Sequence, residues 1–364
     1  MLKFHPLRLK ARTEAAEDAV CLSFELPPAL REAFRFEAGQ HIAVRVDAGG
    51  EERRTYSIVG PEGSDELRIG VRHQSRGRVS PLLARELPVG AAIDVLTPNG
   101  SFHTQIEPGH ACWRVAFAAG SGITPVLSIA ATVLEREPAS RFTLFYGNRT
   151  AASTMFLDEV MALKNRHPAR FAVYFLMSRE PQDIGLLNGR IDAAHVREFA
   201  RLLFDAGAVD EFFLCGPGSM NDEVAQVLRE LGARGKVHAE HFSVAGIAAT
   251  PPAVAQAVAP IAEPAPAAAV DDVRVSVVMD GRRRAFTLSG ALGETVLDAA
   301  DRAGIDLPYS CRAGVCSTCR AKLLRGTVEM EQNHALEDWE LAEGFVLCCQ
   351  ARPTSSEIEL TYDA

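Results

Sequence analysis

Three cysteines, Cys311, Cys316 and Cys319, stand in the stretch YSCRAGVCSTC at the spacing C-x4-C-x2-C. Thiolates this close in sequence converge on a metal only if the chain wraps around it, so this loop constrains its surroundings more than any other segment. Followed by a distant cysteine, the spacing is that of a two-iron, two-sulfide cluster held by four thiolates. Gly314 permits the tight turn that aims N–H groups at sulfur. Zinc is the competing metal, but it favours paired C-x2-C arms and only one is present. Disulfides compete less well in a chain that opens MLKFHPLRLKART, with no apolar leader run. That opening predicts a cytoplasmic protein, where thiols stay reduced. The fourth ligand is left open by spacing alone, because GFVLCCQARP offers both Cys348 and Cys349.

The chain has 364 residues, which predicts more than one domain. Residues 245–270 are almost entirely Ala, Pro and Val and read as a semi-rigid linker. Before them, residues 1–110 hold short alternating runs (AVCLSFEL, HIAVRVD, RTYSIVG, LRIGVRHQ, AIDVLTP) that predict an antiparallel β-barrel. In residues 111–244 the pattern changes to strands alternating with helices, from WRVAFAA and PVLSIAATVLER to EFFLCG and MNDEVAQVLRELGA. This predicts an α/β domain with a parallel sheet. Residues 271–364 form the cysteine-bearing module. No apolar run outside the Ala/Pro stretch is long enough for a membrane span. A net charge of −9 argues against nucleic acid as a partner.

The last module resembles the plant-type ferredoxin family, from VRVSVVMDG through ETVLDAADRAGIDLPYSC to the chain end. That resemblance implies an α+β, β-grasp fold. Family members end Leu-x-Cys-Gln, which selects Cys349 in Leu347-Cys348-Cys349-Gln350 as the fourth ligand.

Gly77-Arg78-Val79-Ser80 precedes a helical run, and a Ser beside a Gly at a helix start, with arginines near, can cradle a pyrophosphate. With Arg54-Thr55-Tyr56-Ser57 it resembles the ferredoxin–NADP reductase family. The resemblance implies that Arg54 contacts flavin phosphate, Tyr56 packs on the isoalloxazine and Ser57 reaches its N5 edge. Gly77 and Ser80 hold the pyrophosphate, and Val71 lies on the adjoining cofactor-binding strand. The helix start favours FAD over FMN. AAGSGITP lacks the last Gly of the dinucleotide fingerprint and is a weak signal by itself. It matches the nucleotide loop of the same family, which implies that Gly120 and Gly122 approach the nucleotide and that Thr124 lies under the nicotinamide. CGPGSM likewise implies nucleotide contacts at Gly216 and Pro217 and a place for Cys215 near the hydride path. Glu240 and Phe242, in EHFSV, stand where the family puts an acid and an aromatic near the flavin. Ser178 and Arg179, with Arg149 near, favour NADPH over NADH, since a 2′-phosphate needs cations; Glu180 and Asp183 oppose this.

A hydride carries two electrons and an iron–sulfur cluster takes one, so a flavin must lie between them. The domain order resembles reductase components of bacterial oxygenases. FRFEAGQHI, ERRTYSI, LLNGRID, CGPGSM and FVLCCQA carry that likeness along the full chain to reductases of di-iron epoxidases of aromatic CoA thioesters. The implied partner is a multisubunit di-iron oxygenase. A reductase for a Rieske-type oxygenase is the alternative, and a redox-sensing module a more remote one. Residues 271–364 carry 16 acidic and 10 basic side chains. Glu329, Glu331, Glu337, Asp338, Glu340 and Glu343 are therefore expected to form either a solvated acidic surface or an acidic docking face for the oxygenase.

Overall fold

A computed structural model describes residues 3–75, 77–241, 253–256 (backbone only) and 272–364. They fall into two units, one reaching residue 241 and one from residue 253 onward.

The first unit opens with six antiparallel strands: β1 (Phe4–Ala16), β2 (Ala19–Phe24), β3 (His41–Asp47), β4 (Glu51–Ser57), β5 (Leu67–Arg72) and β6 (Ala92–Leu96). Their order is β4-β3-β6-β1-β2-β5. An Ile58–Ile69 bridge joins the two outer strands and closes the barrel. Alternation supplies the core: Leu7, Leu22, Ile42, Val44, Ile69 and Val95 are all buried. A short helix, α1 (Val79–Pro81), runs into a wide π turn at Leu82–Glu86.

Five parallel strands follow: β7 (Trp113–Ala119), β8 (Arg141–Asn148), β9 (Phe171–Met177), β10 (Glu211–Gly216) and β11 (Lys236–His241), in the order β11-β10-β7-β8-β9. The helices between them are α2 (Ile123–Arg136), α3 (Leu157–Arg166), α4 (Ala193–Leu202) and α5 (Gly218–Glu230). The strand order reverses between β7 and β10, so the crevice at their C-terminal ends is where an open α/β sheet takes a ligand. The expected helix at MFLDEVMALKNR begins only at Leu157, because Phe156 adopts a left-handed conformation (φ 56°) that cannot continue a helix backwards.

In the second unit β12 (Ala253–Gln256) precedes β13 (Asp272–Met279), β14 (Arg282–Ser289) and α6 (Val296–Arg302). The helix is closed at its start by a Thr295–Asp298 capping box. Then come β15 (Arg320–Arg325), β16 (Thr327–Met330), α7 (Asp338–Ala342), β17 (Phe345–Leu347), β18 (Ala351–Pro353) and β19 (Glu357–Thr361). The main sheet runs β14-β13-β19-β15-β17, with β13 and β19 parallel at its centre, the β-grasp arrangement. A second sheet, β12-β16-β18, shows that part of the expected linker is not a tether. Ala253 to Gln256 pairs antiparallel with Met330 to Thr327. This gives the edge of β16 a partner that it would otherwise lack.

Candidate functional site

The cysteine loop is bent by three left-handed residues, Arg312, Gly314 and Ser317. Gly314 is required twice over: its φ is +72°, and a Cβ there would lie 2.9 Å from the Gln332 carbonyl oxygen. The thiols fall into two pairs. Cys311 is drawn down to about 6, first by its hydrogen bond with Cys316 and, against burial, by the amides of Ala313, Val315 and Cys316. Cys349 is lowered first by its hydrogen bond with Cys319. Among the described residues, no three His, Cys, Asp or Glu side chains converge on a single ion. Two thiol pairs facing backbone donors suit two irons instead. Cys348 is turned away. Burial pushes its thiol up to about 12, and its partner is the Tyr362 hydroxyl. The turn that follows β17 thus sends Cys349 to the loop and Cys348 to the core. None of the eight cysteines is in a disulfide. The residues fit a [2Fe–2S] cluster, with Cys311 and Cys316 on one side and Cys319 and Cys349 on the other.

In the barrel, Arg54 Nη1 lies 3.0 Å from Glu52 Oε2, and Arg78 Nη1 lies 2.8 Å from Glu52 Oε1. Sequence reading missed Glu52, whose partners lie two and twenty-six positions away. Arg78 also clamps the Ala48 and Gly49 carbonyls at 2.6 and 3.0 Å. Ser80 Oγ accepts from the Gln74 N–H at 3.1 Å. A Cβ on Gly77 would approach Ser80 Oγ to 3.0 Å and crowd the hydroxyl. Burial raises the Tyr56 hydroxyl pKa. Val71 lies wholly in the barrel core, so its side chain serves packing and only its backbone could reach a cofactor. Two cations and a hydroxyl gathered beside a close-approach glycine fit a diphosphate.

Ser57, Cys215 and Glu240 come together in the first unit. Ser57 Oγ donates to Glu240 Oε2 across 3.5 Å, a long hydrogen bond, and Cys215 Sγ lies 3.8 Å from the same oxygen. Burial, followed by the Glu240 charge, raises the Cys215 thiol. His41 joins them, with Nδ1 3.8 Å from Glu240 Oε1; nothing in its sequence spacing marked it. Asn221 Nδ2 holds the Glu240 carbonyl at 2.9 Å. The two glycine turns meet here: a Cβ on Gly122 would lie 1.9 Å from the Cys215 carbonyl oxygen, and one on Gly216 would lie 2.6 Å from Met220 Cε. Gly120 has φ +56°. Thr124 Oγ1 donates to Ser121 O at 2.9 Å, and Pro217 precedes α5. Such a crevice accepts a dinucleotide backbone.

At the far edge of the sheet Ser178 Oγ donates to the Asn148 carbonyl at 3.2 Å, and Arg179 is exposed. Arg149 is engaged by Asp18 at 2.7 Å. Glu180 accepts from the Ala151 N–H at 2.8 Å, so its carboxylate is turned to the backbone. Phe242 lies outside the described residues. The acidic face is smaller than expected. Glu340 is 0% exposed and ion-paired with Arg320 at 3.2 Å. It closes the capping box of α7, so it is structural. Glu329, Glu331, Asp338 and Glu343 are exposed.

A flavin site, a nucleotide crevice and a paired-thiol loop on one chain define an electron-transfer reductase that carries its own iron–sulfur module. Family models agree: an oxidoreductase FAD-binding domain matches residues 6–104, an oxidoreductase NAD-binding domain 117–226, and a 2Fe-2S iron-sulfur cluster binding domain 280–354. The chain is 39% identical to a component protein of the 1,2-phenylacetyl-CoA epoxidase of Escherichia coli (strain K12), over 100% of this chain and 99% of that protein. It is 33% identical to the ferredoxin reductase component of 3-ketosteroid-9-alpha-monooxygenase from Rhodococcus rhodochrous, over 98% and 96%. Phthalate dioxygenase reductase shares the fold, with a TM-score of 0.56 at 23% identity and 98% coverage of both chains. The protein belongs to the family of oxygenase reductase components that includes this 1,2-phenylacetyl-CoA epoxidase protein. It uses FAD, a pyridine nucleotide and a [2Fe–2S] cluster. Among the described residues, no helix is long and apolar enough to cross a membrane.

Proposed function

We propose that the electrons come from NADPH, in the cytoplasm, and pass to the oxygenase of a di-iron phenylacetyl-CoA epoxidase. The observation that carries this reading is the 39% identity to the epoxidase component along the whole of both chains. FAD, when bound, would supply the exchange between two-electron hydride transfer and the one-electron steps of the cluster. The chain's residues do the positioning. Arg54, Arg78 and Ser80 hold the diphosphate, with Gly77 giving it room, and Tyr56 packs on the flavin ring. Ser57 and Glu240 keep a proton at Ser57 Oγ, beside the flavin edge. Thr124 and Cys215 line the nicotinamide face, with Gly120, Gly122, Gly216 and Pro217 forming its walls. Ser178 and Arg179 take the 2′-phosphate, a reading supported by the turning of Glu180 to the Ala151 amide. The domains on this reading are 1–110, 111–244 and 271–364. The 245–270 linker between them is anchored at Ala253–Gln256 to the last.

The identity to ketosteroid monooxygenase reductases supports a second acceptor, an oxygenase of the Rieske type. Reconstitution decides. With NADPH and the purified oxygenase components of phenylacetyl-CoA epoxidase, the protein should support epoxidation of phenylacetyl-CoA. It should do so far faster than it supports ketosteroid hydroxylation with the corresponding oxygenase. The reverse ranking refutes the acceptor assigned here.

A further inference from the structure

Gln350 follows Cys349 in the turn after β17, and its half-buried side chain reaches back over the cysteine loop. Its Nε2 lies 3.1 Å from the Arg312 carbonyl oxygen and 3.8 Å from Cys349 Sγ, the second a hydrogen-bond distance for an atom as large as sulfur. Both neighbours are acceptors, so the amide must turn its nitrogen toward them, and that nitrogen has two N–H donors to give. The side chain also lies against the floor of the loop: a Cβ on Gly314 would come within 3.2 Å of Gln350 Cγ. The fold does not need the side-chain bonds to close this turn. The Gln350 main chain closes it, donating to the Leu347 carbonyl at 2.8 Å and accepting from the Glu331 N–H at 3.3 Å. Arg312 is likewise held by other means, with its guanidinium 4.3 Å over the Tyr309 ring and 3.2 Å from Asp298 Oδ1.

We infer that Gln350 tunes the cluster: its side-chain amide donates to the Cys349 thiolate and so raises the reduction potential. This rests on the assignment of Cys349 as a cluster ligand. Adding one electron makes the cluster and its four thiolates one charge more negative. A donor aimed at a thiolate sulfur stabilises that more negative state more than the oxidised one, which is why hydrogen bonds to sulfur set such potentials. The second N–H, on the Arg312 carbonyl, keeps the amide from rotating away, so the donor is held in place before the electron arrives. Gln350 is thus a positioning residue that acts through Cys349.

The test uses the full chain loaded with FAD and cluster. Gln350→Met keeps the length of the side chain and removes its donors, and Gln350→Glu puts a carboxylate in their place. The cluster midpoint is read by EPR through a redox titration, with thermal midpoints beside it. The equilibrium constant for cluster reduction should fall about three- to tenfold in Gln350→Met, equivalent to about 30–60 mV for one electron. It should fall further in Gln350→Glu, where a negative charge faces the thiolate. The flavin couple, followed by absorbance, should not move. A cluster midpoint unmoved in both variants overturns the inference. So does a lowered thermal midpoint with an unmoved potential, the mark of a purely structural tie to Arg312. Where a variant fails to hold the cluster, the wild type grown on glutamine labelled with nitrogen-15 in its side-chain amide gives the answer. Pulsed EPR of the reduced cluster should show a coupled amide nitrogen, and its absence overturns the inference. A wild-type protein that holds no [2Fe–2S] cluster overturns the ligand assignment, and the inference with it.

Discussion

Arg114 offers the sharpest test of how the first unit is held together. Its side chain is 1% exposed at the start of β7, where its Nη1 meets Glu137 Oε2 at 2.5 Å and its Nε meets Glu211 Oε2 at 2.6 Å. Glu137 closes α2 and also accepts from Ser140 Oγ at 2.7 Å and the Glu107 N–H at 3.0 Å. Glu211 opens β10 and accepts from Thr104 Oγ1 at 2.5 Å, with His238 Nε2 at 3.2 Å. One guanidinium thus ties together a buried carboxylate at the end of α2 and a part-buried one at the start of β10. Burial pushes the Glu211 carboxyl up, but His238, Thr104 and Arg114 hold it down at about 2 against an ordinary 4.5. A depressed carboxyl contributes stability above its unfolded value and loses it as pH falls through the folded one. That corresponds to roughly 3 kcal/mol at neutral pH, lost between about pH 4.5 and pH 2. Arg114→Met takes from the buried Glu137 its guanidinium and from Glu211 one of its partners, and should cost about 3–5 kcal/mol. Unfolding in urea, read by Trp113 in a Trp339→Phe background, reports this unit alone, because the chain has only these two tryptophans. The midpoint should fall by roughly 1 M or more. Arg114→Met with Glu137→Gln should recover part of the loss. A cost below about 1 kcal/mol for the single variant would refute the argument that this network carries the unit's buried charge.

Cys349→Ser should abolish the visible absorption of the cluster and cytochrome c reduction while sparing NADPH–ferricyanide activity; Cys348→Ser should keep both, and the opposite pattern would show that the thiol pairs are misassigned. Arg179→Ala should raise the KM for NADPH much more than that for NADH, because a charge-assisted contact is lost; equal changes remove the case for NADPH. Neutralising the exposed Asp338 and Glu343 together should slow electron delivery to the oxygenase at low salt and lessen its salt dependence. Glu340→Gln should instead lower the thermal stability of the second unit, and stopped-flow reduction of the oxygenase beside calorimetry separates the two effects.

The architecture was legible because its signals are periodic. Alternation in AVCLSFEL or HIAVRVD states which face is buried, and the strand–helix repeat after Trp113 states that the sheet is parallel. The cysteine loop was legible because its ligands are close in sequence. What the sequence concealed depends on partners far along the chain or on a single backbone angle. Arg114 reads as a surface charge until Glu137 and Glu211 are brought to it from 23 and 97 residues away. Glu340 reads as one acid among many, yet the cap of α7 and Arg320 take it inside. Phe156 shortens a helix through its φ alone. Cys348 and Cys349 are equal by composition, and the turn after β17 separates them. That turn decides which thiol faces the loop, so a one-residue slip after Leu347 would put Cys348 where Cys349 stands and send Cys349 away from its Cys319 partner.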